Sequence, residues 1–222
     1  MSLTLRRLKG SQLTWDEVDA NWTALEAEAA AAQATATAAM PKAGGTFTGN
    51  VLLGGDGTAF DDLLMPLVQG KQGQTDKPVW DATNLGYLFP QADATQILYL
   101  NCQIPHRWLV GSTIFPHVHF DQSVNAVPVF KIDYKWVSIG GTVPAGWTTY
   151  TMDTLVTPYT SATIHNIVNG AAGIAGTGKG ISSMLQMKLY RDDNVYAGNC
   201  LATSFDIHIE IDSFGSNTEY SK

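Results

Sequence analysis

Two histidines separated by a single residue are the most chemically suggestive feature of this 222-residue sequence. His117, His119 and Asp121 alternate with apolar residues, which is the period-two pattern of a strand with one polar face. Because residues i and i+2 of a strand lie about 7 Å apart on the same face, both imidazoles can reach one metal ion. The preferred expectation is that no cofactor is bound and that these are polar side chains at a strand surface or subunit interface. The alternative is zinc or iron at His117 and His119.

The other candidate motifs argue against an enzyme. Residues 173–180 nearly spell a phosphate-binding loop, but Gly180 stands where that motif requires Ser or Thr. The sequence has no Gly-x-Ser-x-Gly motif, the usual setting of a hydrolase nucleophile. Carboxylates are available for glycoside hydrolysis, but no feature pairs them across a cleft. We therefore expect no catalytic residues, and a plain glycine-rich loop at residues 173–180.

Aromatic residues beside Asp and Asn in turn-rich stretches are candidates for receptor contact. An aromatic ring can stack on the apolar face of a sugar while neighbouring polar groups bind its hydroxyls. The candidates are Trp147, Tyr150, Tyr159, Tyr190, Tyr196, Asp192 and Asp193. The alternative is that these side chains only cover the ends of the domain or the seams between subunits.

A β-rich domain from residue 94 onward must position these groups. Period-two alternation runs through residues 129–136, 185–190 and 205–212, as in antiparallel strands with one solvated face. About eight strands with Gly/Pro turns and no helical pattern indicate a β-sandwich of the jelly-roll type. About 120 residues can bury an adequate core.

Before this domain, residues 15–39 repeat apolar or alanine positions at alternating spacings of three and four. A strict seven-residue repeat predicts a coiled coil with left-handed supercoiling. Thr14 and Glu17 form a capping-box pattern at its start, and Met40-Pro41 ends it. The predicted oligomer seam is Trp15, Val18, Trp22, Leu25, Ala29, Ala32, Ala36 and Ala39. The alternative is a single amphipathic helix lying on its own globular domain.

Short motifs in both halves of the chain resemble proteins of tailed bacteriophages. Leu-Thr-Trp-Asp-Glu-Val-Asp-Ala-Asn-Trp at residues 13–22, followed by the alanine-rich stretch, resembles the N-terminal region of tail-fibre proteins. Lys-Ala-Gly-Gly-Thr-Phe-Thr-Gly-Asn-Val at residues 42–51 is similar to their short Gly-Gly-Thr-x-Thr-Gly repeat. Residues 104–120 and 176–185 resemble runs in uncharacterised phage structural proteins. The resemblance implies a fibre protein of a phage virion.

Taken together, these features predict four segments. They are a virion-docking arm (1–13), a coiled-coil helix (14–40), an intertwined glycine-rich neck (41–93) and a C-terminal β-sandwich head (94–222). The expected function is structural: a short trimeric tail fibre whose head contacts the host surface. One alternative is a capsid or collar decoration protein, or head fibre, without receptor binding. Another is a cupin-like metal-binding sandwich, for which His165 and His208 are the only distant histidine ligands.

Charge and cysteine usage limit the partners. The formal net charge of −7, from 13 Lys+Arg and 20 Asp+Glu, argues against a nucleic-acid surface. Cys102 and Cys200 have no metal-site spacing and are expected to be free thiols. No apolar run reaches the roughly 18 residues that a membrane span needs, and no leader pattern is evident. We expect a homotrimer assembled in the host cytoplasm and located in the virion, bound through its N-terminus to a tail or capsid protein, with a host-surface glycan as a further partner.

Overall fold

The structure is a computed structural model that describes residues 10–38, 59–91, 93–122, 126–157, 165–193 and 197–222. The chain divides into two compact units, Met1–Thr48 and Gly49–Lys222. Among the described residues, the elements are one α-helix, α1 (Trp15–Ala38), one short 3-10 helix (Leu67–Gln69), and the strands β1 (Ala59–Met65), β2 (Lys71–Gln72), β3 (Val79–Asp81), β4 (Gly86–Phe89), β5 (Leu98–Gln103), β6 (Ile114–Asp121), β7 (Phe130–Val137), β8 (Thr148–Met152), β9 (Thr154–Leu155), β10 (Asn166–Asn169), β11 (Met184–Arg191) and β12 (Cys200–Ile211).

Helix α1 begins at the predicted capping box. The Thr14 backbone N–H donates to Glu17 Oε2 at 2.7 Å, and the Glu17 N–H donates to Thr14 Oγ1 at 3.3 Å. These two bonds satisfy donors that have no partner inside the helix, so the predicted start is confirmed. The predicted stop at Met40 and Pro41 lies outside the described residues.

The second unit contains two sheets in which every strand pairing is antiparallel. A seven-stranded sheet has the order β3-β4-β12-β6-β10-β9, with β1 also paired to β12. Its longest strand, β12, pairs with β4 through its first residues and with β1 through its last seven. A five-stranded sheet has the order β2-β5-β11-β7-β8.

One apolar core draws on both sheets, which gives a sandwich-like arrangement. The rings of Phe89 and Phe130 meet edge to face at 5.5 Å, and those of Trp108 and Trp136 lie 5.6 Å apart. The inward residues of β11 and β12 alternate with outward ones, as the period-two pattern predicts. The fully buried members are Leu185, Met187, Leu189, Phe205, Ile207 and Ile209. The prediction of a mainly β domain with antiparallel sheets is confirmed.

Part of the predicted neck contributes strands to these sheets. Residues 59–91 supply β1–β4, which pair with β12, with β5 or with each other. Residues 41–58 lie outside the described residues, so an intertwined neck stays a prediction.

Both cysteines are free. Burial raises the pKa of the Cys102 thiol to about 12 and raises that of Cys200 as well, which disfavours the reactive thiolate. Over the described part of the chain, no helix has the length and apolarity to cross a membrane.

Candidate functional site

The outer face of the seven-stranded sheet gathers four of the five histidines of the chain. Strand β6 turns Val118 and Phe120 into the core, so His117 and His119 point to the opposite face. The register of β12 places Asp206 opposite His117. His165, one residue before β10, reaches this group from the other edge of β6.

The cluster centres on one oxygen of Asp206. Oδ2 of Asp206 lies 2.9 Å from His119 Nε2 and 3.7 Å from His117 Nε2. The other ring nitrogen of His119, Nδ1, lies 2.8 Å from His165 Nε2. One donor atom from each of His117, His119 and Asp206 falls within 4.8 Å of the others. Two imidazoles and a carboxylate therefore converge on a volume the size of one ion.

The three side chains of the cluster differ in how far they are exposed to solvent. The His117 side chain is 3% exposed, that of Asp206 10% and that of His119 21%. A solute can therefore approach from the His119 side while the opposite side is closed by protein.

Neighbouring polar groups orient two of these side chains. The backbone carbonyl of Phe115 lies 3.4 Å from His117 Nδ1, so a proton on Nδ1 leaves Nε2 with a lone pair directed toward Asp206. The Ser204 hydroxyl donates to the other oxygen of Asp206, Oδ1, at 2.7 Å.

The electrostatic environment leaves His117 neutral and Asp206 ionised. Burial, which penalises the imidazolium, is the main reason that the pKa of His117 lies below its ordinary value; the Phe115 carbonyl and Asp206 act in the opposite direction. Burial raises the pKa of Asp206, but hydrogen bonds from His119 and Ser204 lower it, and the net shift is downward. The contact of His117 with Asp206 is thus not a charged ion pair at neutral pH.

A second histidine–carboxylate pair flanks the cluster. His208 Nε2 lies 3.0 Å from Asp62 Oδ1, with side chains 47% and 62% exposed. The rings of His208 and His117 are 4.3 Å apart. Strand β1 supplies Asp62 opposite His208.

The sequence pattern indicates the two central histidines but not the carboxylate that contacts them. Asp121, the predicted neighbour, shares the strand, whereas the group in contact is Asp206 from β12. The available signal was the polar side of the alternating stretch 205–212, which includes Asp206. Of the two distant histidines considered for the cupin-like alternative, His165 contacts His119, and the ring of His208 lies next to that of His117.

Those predicted receptor residues that the structure describes do not all lie together. Trp147 is 39% exposed on the outer face of the five-stranded sheet, with the ammonium groups of Lys188 and Lys135 at 4.3 and 4.9 Å from its ring. Tyr190, on the same face, donates its hydroxyl hydrogen to Asp133 at 3.2 Å.

The remaining members of that set have other surroundings. Asp192 pairs with Lys131 at 2.7 Å at the surface. Tyr150 packs against the core, and Asp193 is buried in an ion pair with Arg191. Tyr159 and Tyr196 lie outside the described residues.

The predicted oligomer seam is exposed in the single chain. Trp15 is 84% exposed, Trp22 65%, Leu25 48% and Val18 42%. The seam alanines at 29, 32 and 36 are exposed as well, and Ala39 lies outside the described residues.

A serine–histidine contact elsewhere has a structural explanation. His106 lies 2.9 Å from Ser182 Oγ through Nε2 and 2.7 Å from Ser216 Oγ through Nδ1. A hydrolase triad places a carboxylate at the second position to stabilise the imidazolium, and Ser182 is only 6% exposed. The contact joins the turn after β5 to the segment before β11 and to the C-terminal residues.

Comparisons with known proteins give no family. No family model matches the chain, and no curated protein matches it. Among solved structures, the CBM22-1–GH10 modules of an N-terminal endo-1,4-β-D-xylanase 10B from Clostridium thermocellum, complexed with xylohexaose, align with 80% of this chain at 14% identity and a TM-score of 0.33. The match covers 29% of that chain. A likeness of this size supports no argument about fold or function.

Proposed function

We propose that this chain is a structural protein of a bacteriophage virion, a short trimeric tail fibre whose β-rich head contacts the host surface. The proposal includes a coiled coil of three α1 helices, a jelly-roll-like head, and an N-terminal arm that binds the tail or capsid. The observation that carries it is the exposed seam of α1. The fibre-like motifs at residues 13–22 and 42–51 support the same interpretation.

Association of several α1 helices would bury the apolar side chains of the predicted oligomer seam. Full burial of a large apolar side chain contributes roughly 1.5–3 kcal/mol, and Trp15, Val18, Trp22 and Leu25 follow one another at heptad spacing. Holding chains together costs about 4–15 kcal/mol in lost motional freedom. The parts of these four side chains that are still exposed, summed over three helices, contribute a free energy of the same order as that cost.

We expect the full-length chain to sediment at three times its 23.9 kDa mass. Replacing Trp15 and Trp22 by serine should shift the protein to single chains, because the widest part of the seam is then lost. Analytical ultracentrifugation at several concentrations provides the measurement.

The matched control replaces Ala20 and Ala27, on the opposite side of the helix, by serine; its mass should stay that of the wild type. A full-length wild-type protein with the mass of one chain contradicts the fibre proposal. A mass of two chains replaces the trimer by a dimer.

The surface proposed for host contact is the outer face of the five-stranded sheet around Trp147. Its ring offers a stacking surface, and Lys135 and Lys188 lie close enough to pair with acidic groups of a polysaccharide. Three copies per fibre multiply a weak single-site affinity through effective concentration.

On a microbial glycan array, we expect the wild type to bind and Trp147→Ala to lose the signal by about tenfold or more, as for loss of an anchoring aromatic. The control is Trp80→Ala, since Trp80 is similarly exposed, 36% against 39%, but belongs to β3 in the other sheet. If the trimer forms but binds no glycan, the decoration or collar function replaces host contact.

A further inference from the structure

We propose that the outer face of the seven-stranded sheet binds one divalent transition-metal ion of the zinc type, with His117, His119 and Asp206 as its protein ligands. All three residues belong to one chain and one compact unit. The proposal is therefore independent of the fibre function and of whether the helices associate.

The spacing of the donor atoms suits a small tetrahedral ion. Bonds of about 2.0–2.2 Å to nitrogen and oxygen place tetrahedral ligands about 3.3–3.6 Å from one another. Asp206 Oδ2 already lies 2.9 Å from one imidazole nitrogen and 3.7 Å from the other, on either side of that range. All three donor atoms lie within 4.8 Å of one another, so binding an ion requires the side chains to draw together slightly on their strands.

The donor types select the class of metal. Two imidazole nitrogens with one carboxylate oxygen suit zinc and its transition-metal neighbours. Calcium and magnesium prefer sites made of oxygen atoms. The set also leaves one position of a tetrahedron for water, and the greater exposure of His119 places that position toward solvent.

His165 acts as a positioning residue for His119. When Nε2 of His119 binds a metal, its proton resides on Nδ1, which lies 2.8 Å from His165 Nε2. With its own proton on Nδ1, His165 accepts that hydrogen bond through Nε2. Such an outer partner fixes the ring orientation and the tautomer of a metal-bound histidine.

The other two ligands have outer partners of the same kind. The Phe115 carbonyl accepts a hydrogen bond from His117 Nδ1, which leaves Nε2 for the ion. The Ser204 hydroxyl binds Asp206 Oδ1, which leaves Oδ2 for the ion. Each of the three ligands is thus held through an atom that the metal does not need.

The test uses the full-length chain, stripped with EDTA and titrated with Zn²⁺ by calorimetry and with Co²⁺ by absorption spectroscopy. We expect one ion per chain and a tetrahedral cobalt spectrum. His119→Gln and Asp206→Asn should each weaken Zn²⁺ binding by more than about 100-fold, since losing even an outer partner costs about 10–100-fold. Ca²⁺ should give no binding signal.

Two further histidine variants make the test specific. His208→Gln is the matched control: its ring is close to His117, but its Nε2 binds Asp62, and we expect wild-type affinity. His165→Ala should keep one ion per chain, bind about 10–100-fold more weakly and alter the cobalt spectrum.

The proposal is overturned by a wild type that binds no Zn²⁺, or by a His119→Gln variant that binds as tightly as the wild type. Equal losses of Zn²⁺ affinity in His208→Gln and His119→Gln would also overturn the proposal, because they would indicate non-specific binding to surface histidines. His119 is the preferred ligand to replace because it is the most exposed of the three, and far-UV circular dichroism checks that each variant remains folded.

Discussion

Replacing Asp193 by asparagine is expected to lower the free energy of unfolding of the β-rich unit by about 3–5 kcal/mol, the usual cost of removing one partner of a buried ion pair. The Arg191 and Asp193 side chains are 0% and 1% exposed. Arg191 donates through Nε to Oδ2 at 2.5 Å and through Nη2 to Oδ1 at 2.9 Å. The substitution leaves a buried guanidinium without this carboxylate.

The same pair connects several parts of the fold. Arg191 Nη1 donates to the carbonyls of Phe89 at 3.2 Å and Gly198 at 2.6 Å, and Asp193 Oδ2 also accepts the Val129 N–H at 3.1 Å. Phe89 ends β4 of one sheet, and Val129 precedes β7 of the other. Loss of the carboxylate therefore disturbs contacts on both sides of the core.

Asp192→Asn is the matched control, because it removes the same charge one residue away. Asp192 pairs with Lys131 at 2.7 Å with side chains 40% and 27% exposed, and exposed pairs contribute about 0–1 kcal/mol. Urea unfolding at one fixed chain concentration provides both values. Similar losses in the two variants would contradict a special role for the buried pair.

Replacing Gly176 by alanine is expected to cost about 3 kcal/mol, at the upper end of the usual range for overpacking. A Cβ at this position would lie 2.1 Å from the Ser112 backbone oxygen and 2.5 Å from Cζ2 of Trp108. Trp108 is fully buried against Trp136. Neither the backbone nor this ring can move without disturbing the core.

Gly180→Ala is the control from the same glycine-rich stretch. A Cβ there meets nothing within 4 Å, and we expect a change within about 0.5 kcal/mol, as for most surface substitutions. Urea unfolding measures the loss, and tryptophan fluorescence should report the shift of Trp108 in Gly176→Ala alone. Equal stability of the two variants would show that the close approach at Gly176 is absent in solution.

The structure explains two of the glycines in residues 173–180. Gly180 stands where a phosphate-binding loop requires Ser or Thr, which argues against nucleotide binding. The sequence predicts a plain glycine-rich loop at residues 173–180, but not which glycines the fold requires. The structure assigns Gly176 to a close approach of the chain to Ser112 and Trp108, and Gly178 to a backbone φ of +73° that favours glycine.

The predicted receptor residues Asp192 and Asp193 also show that a local sequence pattern does not give the burial of a side chain. Asp192 and Asp193 look identical in the sequence, yet one is a surface partner of Lys131 and the other is buried with Arg191. Local pattern cannot separate them, because β11 ends between Arg191 and Asp192 and the chain then turns. Burial beyond the end of a strand depends on what packs there.

Local periodicity by itself determined which residues of β7, β11 and β12 face the core and where α1 begins, because strand alternation and helix capping depend only on neighbours in the chain. Only the tertiary structure decided which outward residues meet. His119 and Asp206 come together because β6 and β12 pair in one register, and a shift by one residue would turn Asp206 to the other face. That register pairs Val118 with Phe205, both buried against the opposite sheet. The pattern of each strand shows that these residues face the core, but it does not show that they are neighbours.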